Sequence, residues 1–135
     1  MPSKARLVCV PPEDANRVWP HVREFIEGAA LRTNLADADT LRDDILSGAA
    51  LLWIAVSDRI EAAATTCLIK ANGSLYCELT SCGGSGRDNW IQLLNEIEAY
   101  AKAEGCRALR IYGRKGWQRV LPDYQVSNIV LERRL

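Results

Sequence analysis

A chain of 135 residues with 17 basic and 17 acidic side chains has no net charge, which excludes a global attraction to nucleic acid or anionic membrane. With 48% hydrophobic and 25% charged residues it reads as one ordinary globular domain over residues 1–135, long enough for a real core. No apolar run approaches the about 20 residues that a membrane span needs, and MPSKARLVCVPPED holds too short an apolar stretch for a signal peptide, so a cytoplasmic protein is expected.

Residues 6–10 alternate as a first strand, stopped by Pro11 and Pro12. Pro12, Glu13 and Asp14 then open a helix whose apolar face is Val18, Val22, Phe25, Ile26 and Ala29. Pro20 falls inside it and predicts a kink or two abutting helices. A second helix is expected over 39–47, capped by Asp39 or Thr40 and ended by Gly48. From there the periodicity changes. LLWIAV and IEAAATTCLI are strands joined by a turn at 57–59, and Asn72-Gly73 is a type I′ hairpin signal before the strand SLYCELTS.

A glycine-rich stretch, SCGGSGRDNW, follows and leads into an amphipathic helix with Trp90, Leu94, Ile97 and Ala101 on one face and Gly105 as its C-terminal cap. RALRIY is the next strand, parallel to the one before the loop if the helix makes a right-handed crossover. A short helix at 117–121 precedes a final strand, VSNIVLERRL. The order predicts a mixed α/β (α+β) domain with an antiparallel N-terminal meander and helices on both faces of the sheet.

The five cysteines have no C-x-x-C spacing and His21 is the only histidine, a poor basis for a metal site, so none is expected. Reduced, mostly buried thiols fit the pattern. Cys82 beside the glycines could be a lowered-pKa thiolate, but no base is near it in sequence and an inert cysteine is the simpler reading. Gly83, Gly84 and Gly86 make a permissive loop of bare amides before a helix N-terminus, with Arg87 adding a cation; such a loop is an anion site. Arg107, Arg110, Arg114, Lys115 and Arg119 form a basic run without an acid between them, which reads as a solvated or internally paired face rather than a nucleic-acid surface. Trp53 reads as core, and Trp90 and Trp117 as residues that line a ligand site or a protein interface, with packing of Trp90 under the loop an equal alternative.

The element order resembles the GNAT superfamily of N-acetyltransferases. SGAALLWIAVSDRIEAAATTCLI is similar to the family's second-to-third strand hairpin, LLNEIEAYAKAEGC to its helix end, and VLPDYQV stands where its Tyr-x-x-x-Gly-Phe segment precedes the last strand. Val-Trp-Pro near Trp19 and Gly-Arg-Lys-Gly-Trp near Trp117 also look like small GNAT-like proteins of tailed phages. The resemblance implies acetyl-CoA as co-substrate, held along Thr80, Ser81, Cys82, Gly83, Gly84, Ser85, Gly86 and Arg87, with an oxyanion stabilised by a strand amide near Thr80 to Cys82. It implies Glu78 as general base, Tyr124 as general acid, and transfer of an acyl group to the amine of a small molecule or protein.

Two departures stand beside it. Counted back from Leu93-Leu94, the family's motif glycines fall on Asp88 and Trp90 and its leading Arg or Gln on Ser85, so the loop is degenerate. The tyrosine of the Tyr-x-x-x-Gly-Phe segment falls on Leu121, with Tyr124 one helical turn away, and the family's asparagine after the fifth strand falls near Arg114. The alternative function is therefore a catalytically inactive GNAT-like binding or structural module of phage or prophage origin, acting as a homo-oligomer or with a phage protein partner.

Overall fold

The computed structural model describes residues 5–113 and 116–135. Five strands form a single sheet in the order β1 (Arg6–Val10), β2 (Leu51–Val56), β3 (Ile60–Ala71), β4 (Ser74–Gly84) and β5 (Ala108–Ile111). The first four are antiparallel neighbours and β5 joins β4 in parallel, as the crossover through the intervening helix requires. At the β3–β4 turn Asn72 and Gly73 have φ of 51° and 79°, the doubly left-handed geometry that the pair was expected to supply.

Helices cover both faces, which is why LLWIAV is apolar throughout rather than alternating. On one face lie α1 (Ala15–Thr33) and α2 (Ala38–Ser47), where Val22, Ile26, Leu41 and Ile45 pack on Val10, Leu52, Ile54 and Ala63. On the other lies α3 (Leu94–Ala103), whose Leu94 and Ile97 meet Trp53, Ala64 and Leu79. Trp53 places its indole N–H 2.9 Å from the buried Thr66 hydroxyl, so its polar edge is satisfied inside the core. A short α4 (Trp117–Val120) follows β5.

Four expectations need correction. Pro20 breaks nothing: a 3-10 turn at Pro12–Asp14 leads into a helix that is continuous through it, the chain absorbing one missing N–H. The cap of α2 is Asp37, whose carboxylate accepts from the Thr40 amide at 3.1 Å. The helix after the glycines starts at Leu94 rather than near Trp90, because Arg87–Asn89 and Ile91–Leu93 wind as two 3-10 turns first. Residues 126–135 form no strand, since their backbone meets no ladder partner among the described residues.

Candidate functional site

β4 and β5 run together only from the Tyr76/Ala108 pair to Leu79/Ile111, closed by the Tyr112 amide on the Leu79 carbonyl at 3.0 Å. β4 then continues to Gly84 with β3 alone on its other side. The divergence coincides with a bulge. Thr65 pairs with Ser81 and Thr66 with Leu79, which leaves Thr80 as the extra residue, its hydroxyl 2.8 Å from that of Thr65. Past this point the outer edge of β4 has no strand partner among the described residues, so its backbone groups are open to an extended ligand.

The opening leads into a cleft of about 690 Å³. Ala29, Arg32 and Thr33 at the end of α1 form one wall, Cys82 to Gly84 the floor, and Tyr112, Gly113, Trp117 and Arg119 the opposite wall. Arg87 and Trp90 close one end. Three guanidiniums line this space and no carboxylate does among the described residues, so the cleft suits an anion.

The glycines do different work from that expected of them. Gly83 and Gly84 belong to β4. A Cβ on Gly83 would lie 2.5 Å from the Phe25 carbonyl oxygen of α1, and one on Gly84 would lie 2.5 Å from the Glu61 carbonyl oxygen. Both allow close packing of neighbouring backbone. Gly86 does turn left-handed, with φ of 58°. The Ser85 amide is spent on Glu61, Asn89 on Gly86 and Trp90 on Arg87, while Leu93 bonds Trp90. The two 3-10 turns thus consume donors ahead of α3 and leave the Gly86, Arg87 and Asp88 amides without a backbone partner among the described residues.

Glu78 lies on the α1 face of β4, only 6% exposed. Its carboxylate accepts from the Tyr112 hydroxyl at 2.8 Å and lies 3.9 Å from the Arg110 guanidinium. Tyr112 lines the cleft and Glu78 stands behind it. Burial, then the bond to Glu78, pushes the Tyr112 phenol up to about 12. Tyr124 is placed elsewhere. Its hydroxyl donates to Glu98 of α3 and its ring packs in the α3-face core, so burial and that bond raise its pKa. The structure therefore does not bring Glu78 and Tyr124 together.

Among the loop candidates, Cys82, Gly83, Gly84 and Arg87 line the cleft. The Ser81 hydroxyl faces α1, 3.4 Å from the Ile26 carbonyl oxygen, and Thr80 turns to Thr65. Burial pushes the Cys82 thiol up to about 12, Arg32 opposing weakly, which removes any thiolate role near neutral pH. Trp90 is buried beneath Ser85, bonding its carbonyl at 2.8 Å, and packs on Ala55 and Ala62. Trp117 lies against Gly113, where a Cβ would come within 2.3 Å of its ring.

Tyr112, Arg32 and Arg119 are what sequence reasoning missed or misassigned as parts of this cleft. The available signal for Tyr112 was an aromatic closing RALRIY, at the splaying end of a strand. Arg32 gave none, since it sits 50 residues before Cys82 and only the packing of α1 on β4 joins them. The basic run does not form one patch. Arg110 stacks 3.7 Å from the Tyr76 ring centroid, Arg119 turns into the cleft, and Arg114 and Lys115 lie outside the described residues.

No family model matches the chain, and no curated protein matches it by sequence. Solved structures do match. An aminoglycoside acetyltransferase from an uncultured soil metagenomic sample, in complex with sisomicin, superposes with a TM-score of 0.70 at 10% identity, over 97% of this chain and 96% of its own. A predicted acetyltransferase from Clostridium acetobutylicum, with acetyl-CoA, gives 0.69 at 13% identity and 96% of both chains. A GNAT family acetyltransferase of Staphylococcus aureus gives 0.68 at 10% identity, over 98% and 99%. At these identities the likeness is one of fold: the chain has a GNAT-like fold along nearly its whole length. No helix among the described residues is long and apolar enough to cross a membrane.

Proposed function

We propose that the chain is an acyl-CoA-dependent N-acyltransferase, moving an acetyl or similar group to an amine. The observation that carries this reading is the parting of β4 from β5 at Thr80 into a cleft lined by Arg32, Arg87 and Arg119. A polyphosphate needs cations on a rim, and a pantetheine arm with its two amides suits an unpaired strand edge. This chain offers both, with the open edge at Thr80 to Gly84 and the three arginines around it. The acyl-CoA supplies an activated thioester carbonyl.

The chain's own groups then orient and move a proton. An amide of the β4 edge between Thr80 and Cys82 would donate to the oxyanion, in a cleft that Trp90 and Trp117 help to line. The attacking amine loses its proton toward Tyr112, which passes its own to Glu78 along the 2.8 Å bond between them. As the C–N bond forms and the C–S bond breaks, the departing thiolate takes up that proton. Tyr124 carries no step in this scheme, because its hydroxyl is committed to Glu98.

Calorimetric titration of acetyl-CoA, with an Arg32→Glu variant alongside, tests the reading. Arg32 is an exposed side chain at the end of α1, so its reversal should leave stability within about 0.5 kcal/mol. Binding that weakens at least about tenfold in the variant is the expected result, from loss of one charge-assisted contact and gain of a repulsion. No heat at millimolar ligand with the unaltered chain would end the proposal.

A second reading has its own support. Gly83 and Gly84 are spent on packing, Trp90 sits under the loop, and the first donors before α3 are consumed by 3-10 turns. These features suit a GNAT-like module without catalysis, of the tailed-phage kind that the sequence resembles. The same titration separates the two.

A further inference from the structure

The sheet face under α3 keeps an empty space of about 30 Å³, with Ala55, Ala62 and Ala64 on one side of it and Trp90, Leu94 and Ile97 opposite. Voids larger than a water molecule are few in a domain, and each forfeits contacts that a larger side chain would make. Strand positions favour β-branched and aromatic residues. Here, however, Ala55, Ala62 and Gly84 form one row across three strands, and Ala64 and Cys82 stand side by side in the next.

Every described residue around the space is aliphatic or a tryptophan, Cys82 excepted. The indole N–H of Trp53 is held by Thr66 and that of Trp90 by the Ser85 carbonyl, so neither offers a polar contact. Water finds no partners in such a space, whereas an alkyl group fits it.

The cavity is continuous in its lining with the cleft, since Cys82, Trp90 and Trp117 border both. The extra residue Thr80 turns Cys82 to the α3 face, directly beyond the edge amides assigned to the oxyanion. Tyr112 and Glu78, which receive the amine's proton, stand on the α1 face. A carbonyl held at that edge therefore has its nucleophile on the α1 side and room for an alkyl tail past Cys82 on the α3 side. Resting on the acyltransferase reading, we propose that this cavity receives the tail of the acyl group, so that the chain prefers a short-chain acyl-CoA to acetyl-CoA as donor. A space of about 30 Å³ admits roughly two heavy atoms beyond the acetyl methyl, which makes butyryl the matching group.

Calorimetric titrations of the full chain with coenzyme A, acetyl-CoA, butyryl-CoA and hexanoyl-CoA test this. Butyryl-CoA is expected to bind about tenfold more tightly than acetyl-CoA, from burial of the further methylenes. Hexanoyl-CoA should lose that gain, because its tail exceeds the space. Ala64→Val, which puts a branched side chain into the cavity, should bring butyryl-CoA back to the affinity of acetyl-CoA. Leu94→Ala, which widens the cavity and overpacks nothing, should instead move the tightest binding to hexanoyl-CoA. Equal affinities of the unaltered chain for acetyl-CoA and butyryl-CoA, with heat from both, would overturn the acyl pocket and leave acyl-CoA binding standing. A chain-length preference unmoved in either folded variant would overturn it too. Absence of heat with every one of these ligands would end both the pocket and the reading beneath it.

Discussion

The two faces of the sheet are filled differently. Under α1 and α2, Val22, Ile26, Ile45 and Leu52 are between 0% and 2% exposed, and large side chains come from both helix and strand. Under α3 the sheet presents Ala55, Ala62 and Ala64, and a cavity of about 30 Å³ remains between them, Trp90 and Leu94. The sealed face is made by local hairpins and helices of strong periodicity. The loosely filled face borders the cleft, sharing Cys82, Trp90 and Trp117 with it. The cleft thus opens where the two faces meet, with the end of α1 on one side and Trp90 and Trp117 on the other.

Truncation should show this difference most strongly. Leu52→Ala, at a fully buried position of the sealed face, is expected to cost about 2–5 kcal/mol, toward the upper end of that range. Leu94→Ala beside the existing cavity should fall toward the lower end, about 2–3 kcal/mol, because its neighbours are already incompletely packed. Denaturant unfolding of the two variants measures the contrast, and equal or reversed costs would break it.

Glycine substitution sharpens it at the seam. Gly83→Ala forces a Cβ toward the Phe25 backbone and should cost about 1–3 kcal/mol. Gly86→Ala strains a left-handed residue and displaces the flexible Asn89 side-chain amide, 2.9 Å from the added Cβ, and should cost about 1 kcal/mol. Thermal midpoints and acetyl-CoA titrations of both are the measurement. If Gly83→Ala lost ligand and kept its midpoint, the glycine would serve the ligand rather than the helix contact.

The smallest effect is electrostatic. Tyr112 holds its proton more tightly in the fold, with its pKa raised from 10 to about 12 by burial and by Glu78. Stability contributed by that proton is complete below pH 10 and is lost as pH climbs through about 12. Unfolding midpoints taken across this window should fall less steeply in Tyr112→Phe than in the unaltered chain. Identical slopes would mean that the hydroxyl makes no differential bond.

The elements were largely legible, and particular residues say why. Asn72-Gly73, Gly48 and Gly105 announce their turns because left-handed backbone selects for few residue types. The parallel placement of β5 follows from the length of the crossover. The cleft was less readable. Gly83 and Gly84 look the same in sequence whether they serve an anion or a helix packed close above, and only the distance to the Phe25 carbonyl decides. Arg32, Tyr112 and Arg119 converge from separate elements, so no spacing rule joins them. The final strand failed for another reason: its pattern is that of a strand, and a strand needs a ladder neighbour, which residues 126–135 do not meet among the described residues.

Thr80 bears on all of this through phase. Before it, even-numbered residues of β4 face α1, as Glu78 does; after it, odd-numbered ones do, as the contacts of Ser81 with Ile26 and of Gly83 with Phe25 show. One supernumerary residue thus lets a carboxylate two positions before it and a glycine three positions after it share a face. Draw Thr80 into the ladder as an ordinary paired residue, and Cys82 would swing under α1 while Gly83 turned to the other face, leaving the helix without its gap. A single-residue deletion at Thr80 would by contrast leave Ser81 and Gly83 facing α1, because it removes the one residue of this stretch that β3 does not pair.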